Sequence, residues 1–319
     1  MPRLELLVVI INYKTPDLVI DCVSSVLPQL RANQKIVIVD NFSNDGSAET
    51  VAKWVAENCS EQADLVFSDV NGGFSAGNNL GLTHAEADYY LLLNSDALLR
   101  ENALQEMLNT FLKPGNNSLG FVAPRLEWPD AKPQESCFRF HSPISELINA
   151  SRTGWVTKLL KPWEVALSVS DTPIKPQWAS FACIMLRGNM VKDVGLMDEG
   201  YFLYYEDADY CKMAGSNGWE TLYQPAARVV HLRGGSSPVK SNTKQKKRLP
   251  EYYYASRSRF FAKHYGLAGL VLANMLWYAG RLVSKSRELL GREYIAACEK
   301  QYKDIWTRFS MPLKPYRPE

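Results

Sequence analysis

Apolar and polar positions alternate along the first hundred residues with two different periods. LELLVVII (4–11), KIVIVD (35–40), DLVFS (64–68) and YYLLLN (89–94) are short apolar runs that predict buried strands. Thr15-Pro16 offers a cap and a first helical position for a helix to about Leu27. Further helices are predicted from about Ser47 to Asn58 and from the glycine-rich NGGFSAGNN to about Ala85. Strands alternating with helices imply parallel β-α-β units, whose ligands bind at the carboxyl ends of the strands. Polar clusters fall at those ends: Asn12-Tyr13, Asp40-Asn41, residues 71–79 and Asn94-Ser95-Asp96.

After about Leu119 the pattern is interrupted by prolines at 124, 129, 133, 143, 162, 173 and 176. WASFACIML (178–186) predicts a returning strand, followed by GLMDEGYFLYYEDADYC and a helix to about Asn217. Strands are then expected over 220–223 and in ARVVHLRGGSS (227–237). Residues 238–250 are polar and basic and read as a mobile linker, and 252–310 read as helices. The division expected is therefore an α/β domain over 1–237, a basic linker over 238–251 and a basic helical region over 252–319.

Composition narrows this picture. A chain of 319 residues, 46% hydrophobic and 22% charged, is long enough to bury a full core. Its six cysteines show no CxxC spacing, which argues against a zinc cluster or a disulfide scaffold and favours a reducing cytoplasm. The apolar run 6–11 is too short to span a membrane and is not followed by a signal-peptide cleavage pattern.

Charge is unevenly distributed. Residues 240–319 hold 17 Lys and Arg against six Asp and Glu, a net +11, which leaves −9 for residues 1–239. Within that tail, residues 264–280 contain no Asp, Glu, Lys or Arg. The run is short of the roughly 20 residues of a membrane span. It suits a helix lying in a membrane interface, or a buried helix of a small bundle. The net +7 of residues 240–263 favours an anionic membrane surface as partner. Nucleic acid is not expected, because no binding motif interleaves with the charge.

The candidate chemistry sits in the polar clusters. Asp40 could accept the imide N–H of uracil or thymine, or simply form an Asx turn; Tyr13 could stack on a base or pack. NGGFSAGNN, with Asn71, Gly73 and Asn78, lacks the P-loop lysine, yet glycines before a helix can bring N–H groups to a diphosphate. Asp96 could ligate a hard divalent cation (Mg²⁺ or Mn²⁺) or cap a helix, and His231 could be a second ligand or structural. Arg233 could meet phosphate oxygens. YFLYYEDADYC (201–211) sets Glu206, Asp207 and Asp209 among aromatic residues. A helix dipole accounts for one such acid well and for three poorly. Either Glu206 or Asp207 could be a general base, and spacing alone does not choose.

In this order the blocks resemble those of inverting glycosyltransferases of family 2 with the GT-A fold, over about residues 6–237. VVIINYKTPDLVIDCVSSV resembles the family's opening strand and helix, and VDNFSNDGS its nucleotide loop. NGGFSAGNNLGL and YYLLLNSDA resemble the next two blocks, and GLMDEGYFLYYEDADYC with PAARVVHLRGGSS the acceptor-side blocks. The resemblance implies a Rossmann-like mixed sheet flanked by helices. It implies that Asn12, Tyr13, Asp40, Asn41, Asn71, Gly73, Asn78, Asn94, Ser95, Asp96 and Arg233 serve the donor nucleotide, with Asp40 reading the base. Asp96 and His231 would hold the metal, Asp207 would be the base, and Glu206 and Trp178 would meet the acceptor.

Two departures stand out. The family's Asp-x-Asp is here Asn94-Ser95-Asp96, and the arginine that relatives often carry four residues after the last Asp is here Met213, beside Lys212. Likeness to rhamnosyltransferases points to a dTDP- or UDP-sugar donor and a glycan or polyprenyl-linked acceptor, at the inner face of a cell membrane. The alternatives are a nucleotide-binding adaptor at the membrane surface, and a sugar-1-phosphate nucleotidyltransferase. The latter needs a basic glycine-rich loop where this chain has NYKTPD.

Overall fold

The computed structural model describes residues 3–232, 238–289, 291 and 296–318. In its first part, β1 (Leu4–Asn12), α1 (Pro16–Val26), β2 (Gln34–Asp40), α2 (Ser47–Asn58), β3 (Ala63–Phe67), α3 (Gly73–Leu82) and β4 (Ala87–Asn94) follow the expected alternation. Next come β5 (Ala97–Leu99), α4 (Ala103–Leu112), β6 (Leu119–Glu127), β7 (Cys137–Phe138), α5 (Pro143–Ser151) and α6 (Gly154–Leu159). The chain continues through β8 (Trp178–Ala179), β9 (Cys183–Arg187), α7 (Gly188–Val194), α8 (Glu206–Ser216) and β10 (Glu220–His231). It closes with α9 (Val239–Gln245), α10 (Glu251–Leu289) and α11 (Gln301–Asp304).

Eight strands form one mixed sheet in the order β3-β2-β1-β4-β9-β6-β10-β5. β1 to β4 run parallel, whereas β9 is antiparallel to both β4 and β6. The apolar runs have no polar alternation because both faces of the sheet are covered. Leu6, Val8 and Ile10 face α1, α2 and α4, while Leu7 and Val9 face the layer that contains α3, α7 and α8. The expected returning strand over 178–186 is divided. Trp178–Ala179 pairs with Cys137–Phe138 in a small second sheet, and only Cys183–Arg187 enters the main one. The two strands expected within 220–237 are one, β10, with a register irregularity between Gln224 and Arg228.

The C-terminal region differs most from expectation. Where a mobile linker was read, α9 forms, and buried Val239 and Leu249 anchor the segment at its two ends. The polar residues between these anchors mask the helical signal. α10 is broken at Gly266, whose φ of +69° suits glycine, so it has two arms. Its second arm packs so closely on α5 that a Cβ at Gly280 would lie 2.5 Å from the Leu147 carbonyl oxygen.

Four of the tail's basic residues are matched by acids inside the molecule. Arg248 pairs with Asp304 and Arg259 with Asp198, while Lys263 pairs with both Asp198 and Asp209. Arg257, fully enclosed, donates to Glu146 of α5 at 2.8 and 3.0 Å and to Asn274 at 2.7 Å.

Candidate active site

The carboxyl ends of β1, β2 and β4 lie side by side because their registers match: Asn12 is opposite Asp40, and Ile11 opposite Asn94. There the Asp40 carboxylate accepts three hydrogen bonds. One oxygen accepts from the Asn12 amide (2.7 Å) and the Ser43 hydroxyl (2.6 Å), and the other from the Ser43 N–H (3.0 Å). This is the Asx-turn reading realised. Asp40 opens on a shallow cavity of about 410 Å³ that also meets Phe42, Asp45 and Glu49. A larger cavity, about 900 Å³, adjoins it through Phe42 and is lined by Tyr13, Asn41, Asn94, Ser95 and Asp96, among others. Asn12 and Asp40 shape the wall of the larger cavity without lining it.

The glycine-rich segment acts as a clamp. Gly73 has φ of +83°, and a Cβ there would lie 2.1 Å from the Phe202 carbonyl oxygen, so only glycine fits. The N–H groups at the start of α3 are engaged within the protein: Gly72 to Val70, Gly73 to the Asn71 side chain, and Phe74 to Phe202. The diphosphate cradle expected from these amides is therefore not available, because they fasten α3 to the loop before α8. Asn41 donates to Asn71 and to the Gly73 carbonyl. Asn71 and Gly73 still line the large cavity, whereas Asn78 turns back to the Phe74 carbonyl within α3.

The Asp96–His231 pair is assembled by strand pairing. β5, directly after Asp96, runs antiparallel to the end of β10 and sets Ala97 opposite His231. His231 Nε2 lies 3.5 Å from Asp96 Oδ1, with both side chains about 90% buried. His231 Nδ1 is buried and finds no partner among the described residues. The imidazole and the carboxylate, side by side on the cavity wall, form a donor pair that fits a divalent cation. No group of three or more His, Cys, Asp or Glu side chains gathers there among the described residues, so most of the ion's ligands would be substrate and water oxygens. Arg233 lies outside the described residues.

The opposite wall is the start of α8. Tyr204 and Tyr205 both have positive φ (72° and 71°), and Tyr205 caps α8 without a side-chain hydrogen bond. This conformation is strained for a large side chain. It delivers Glu206 and Asp207 to the cavity that Asp96 and His231 line. Burial pushes the Asp207 carboxyl up to about 7, held from rising further by the N–H groups of Ala208, Asp207 and Phe181 and by Lys240. Burial, and next the neighbouring Asp207, push Glu206 well above the carboxylate range, and its Oε2 finds no partner among the described residues. Three N–H groups and Lys240 favour the charged form of Asp207, whereas Glu206 has only its own N–H, so Asp207 is the more readily ionised of the pair. That difference favours Asp207 over Glu206 as the candidate base.

Asp209 plays a different part. It faces away from the cavity, where it accepts from the Tyr201 hydroxyl (3.0 Å) and Lys263 (2.7 Å) and pairs with His264 (2.7 Å).

Trp178 departs from its expected place. Its ring stacks on Phe138 at 4.2 Å, and its indole N–H donates to the Arg139 carbonyl. It supports the wall from behind, whereas Ser180 and Phe181 line it. Sequence reading also missed Lys240, Tyr252 and Arg317 as lining residues. They come from the C-terminal region, and only the aromatic cluster YYY (252–254) hinted at such a role.

Comparison with known proteins agrees with this geometry. The model of the family "Glycosyl transferase family 2" matches residues 7–160. The N-acetylglucosaminyl-diphospho-decaprenol L-rhamnosyltransferase of Mycobacterium tuberculosis is 25% identical over 219 residues, covering 63% of this chain and 67% of that enzyme. The low-salt glycan biosynthesis hexosyltransferase Agl10 of Haloferax volcanii is 24% identical over 215 residues, covering 66% of this chain and 61% of that enzyme. Among solved structures, the mannosyltransferase PcManGT from Pyrobaculum calidifontis, in complex with GDP-Man and Mn²⁺, superposes with a TM-score of 0.54. It is 14% identical, over 98% of this chain and 85% of that one. GalNAc-T7 with UDP, GalNAc and Mn²⁺ gives a TM-score of 0.58 at 14% identity, over 98% of this chain and 55% of that one. These likenesses establish the GT-A fold, with a helical extension at the C-terminus. Residues 7–160, just under half of the chain, match glycosyl transferase family 2, and the likeness to its rhamnosyltransferase and hexosyltransferase relatives covers about two thirds of the chain.

Proposed function

We propose that this protein is an inverting, metal-assisted glycosyltransferase that moves a sugar from a nucleoside-diphosphate donor to an acceptor hydroxyl in cell-surface polysaccharide synthesis. The observation that carries the reading is the shared cavity: a carboxylate poised near neutrality (Asp207) on one wall, and the Asp96–His231 pair on the other. The strand-end loops, with Tyr13, Asn41, Asn94 and Ser95, would hold the nucleotide, and Asp40 its base by way of the adjoining smaller cavity. Asp96 and His231 would hold a divalent cation, which supplies positive charge to the departing diphosphate.

Asp207 takes the proton from the acceptor hydroxyl as that oxygen forms its bond to the anomeric carbon. The bond from the anomeric carbon to the diphosphate breaks on the opposite side, so configuration inverts. Protonated Glu206 is suited to donate a hydrogen bond to an acceptor oxygen. Residues 3–232 would carry this chemistry and the C-terminal helices would complete its walls.

The mycobacterial relative is named as a rhamnosyltransferase acting on a diphospho-decaprenol sugar, and the Haloferax relative as a glycan-biosynthesis hexosyltransferase. By analogy we take dTDP-rhamnose as the first donor to try and a polyprenyl-linked glycan as acceptor. A cytoplasmic location at the membrane's inner face suits such an acceptor. α10 also supports membrane contact: the segment Glu251–Arg287 is long and apolar enough to cross a membrane, but its second arm buries Leu270, Ala273 and Trp277 in the protein. Leu272, Met275 and Leu282 stand exposed at helical spacing on its outer side, as in a helix lying on a bilayer.

The test is transfer from dTDP- and UDP-sugars to a polyprenyl-diphosphate-sugar, with and without Mn²⁺, reading product configuration by NMR. Turnover that needs metal and inverts the anomeric centre is expected. Nucleotide binding without turnover on any donor would favour the adaptor reading.

A further inference from the structure

The three acids at the start of α8 divide the work between two faces. Residues two apart on an α-helix point about 200° apart, so Asp207 and Asp209 look to opposite sides. Asp207 meets the cavity, and Asp209 meets the first arm of α10. The chain enters α8 through two tyrosines in the left-handed region with no side-chain cap, a conformation that persists only where its surroundings enforce it. The Ser256 hydroxyl of α10 donates to the Leu203 carbonyl just before the turn, and cations of the same arm hold the acids on either side of it. Lys263 Nζ donates to Asp209 Oδ2 (2.7 Å) and Asp198 Oδ2 (2.9 Å), and lies 3.3 Å from the sulfur of Met213. Arg259 clamps Asp198 through both carboxylate oxygens, and Asp198 lies in the segment that leads into the Tyr204–Tyr205 turn.

Met213 sits four residues after Asp209, one helical turn further along the same face. Lys263 therefore places its ammonium where a basic side chain at position 213 would have put its own charge.

We propose that Lys263 is a positioning residue for transfer: it supplies, from the C-terminal arm, the cation that holds Asp209 and so fixes the start of α8 with Asp207 turned into the cavity. The arm is then part of the catalytic unit rather than only a membrane-facing appendage. Removing Lys263 leaves buried Asp209 with His264 and Tyr201 but no lysine, and frees the strained turn to relax.

This inference rests on Asp207 acting as the base, so its test has a readout that does not depend on turnover. Amide hydrogen exchange over residues 206–210 and steady-state transfer are compared for wild type, Lys263→Ala, and Lys263→Ala combined with Met213→Arg. The expected result for Lys263→Ala is exchange at least tenfold faster at the start of α8, and kcat lower by about 10- to 100-fold with donor KM within twofold. Met213→Arg, reaching Asp209 across one turn, restores most of both. Lys263→Gln, which keeps the stem and loses the charge, is read in the same way if Lys263→Ala does not fold. Unchanged exchange over 206–210 overturns the proposal whether or not a donor has been found. A folded double variant that regains neither slow exchange nor kcat overturns it as well. No turnover in wild type, with the exchange effect present, indicts the assigned activity and leaves the positioning role standing.

Discussion

Two carboxylate sites in this molecule are built on opposite principles. At the end of β2, Asp40 has three donors from its own neighbourhood and ties Asn12, at the end of β1, to the turn at Ser43. At the start of α8, Glu206 and Asp207 are enclosed with too few donors, and both are pushed toward the neutral form. A satisfied buried carboxylate contributes stability, whereas an undersatisfied one costs stability and is kept where proton transfer needs it. The fold tolerates the second because Asp209, on the same helix, is matched by Lys263 and His264.

The contrast breaks most visibly at Asp207. Asp207→Asn removes the base and nothing else of similar size, so transfer is expected to fall about 1,000-fold or more while nucleotide still raises Tm as in wild type. Loss of nucleotide binding in that variant would mean the two walls are not independent. On the donor side, Asp96→Ala should weaken metal-dependent nucleotide binding on the order of 100-fold, read by calorimetry with and without Mn²⁺. It should leave metal-free binding nearly unchanged.

Asp40→Ala probes the satisfied site. It removes the acceptor of the Ser43 N–H and hydroxyl and the shortest of the Asn12 amide's bonds, which should cost about 2 kcal/mol and lower Tm by several degrees before any effect on nucleotide is considered. Asp207→Asn should move stability the other way. The Asp207 carboxyl sits at about 7 in the folded protein, above its unfolded value, so the native state holds more protons between about pH 4 and 7. Wild-type stability therefore falls as pH rises through that window. The asparagine variant lacks this loss and should gain on wild type, by about 1 kcal/mol or more once pH passes 7, in urea titrations at pH 5 and pH 8.

These residues were not equally legible in the chain. The parallel half of the sheet was plain, because strands buried on both faces leave unbroken apolar runs and their polar ends mark the ligand side. Asn12, Asp40, Asn94 and Asp96 all followed from that rule. His231 could be suspected but not joined to Asp96, since the pairing of β5 with β10 spans more than a hundred residues of chain. Trp178 was expected at the acceptor from the family resemblance, yet its indole N–H found a backbone carbonyl and its ring a stacking partner. The NGGFSAGNN segment was expected to offer its amides to phosphate; Gly72 and Gly73 instead bond locally to Val70 and Asn71, and the Phe74 bond to Phe202 is a long-range choice that local glycine content does not encode.

The tail was the hardest part to read. Its charge pointed outward, to an anionic partner, yet four of its cations turn inward. Arg257 is buried against Glu146, and Arg259 and Lys263 hold Asp198 and Asp209, acids that precede them by more than fifty residues. Net charge over a window cannot distinguish a basic surface from a set of cations that dock one segment on another. Only the exposed outer side of the second arm keeps the amphipathic character that the composition suggested.

The most direct test of the contrast between the two carboxylate sites is the single-turnover transfer rate from about pH 5.5 to 8.5, measured for wild type and Asp207→Asn with saturating donor and metal. For wild type the rate should climb tenfold per pH unit and level off near pH 7, where Asp207 loses its proton. Asp207→Asn should be slower throughout and show no such rise. A variant that transfers at the wild-type rate, or that keeps the same limb, would contradict the assignment of Asp207 as the base.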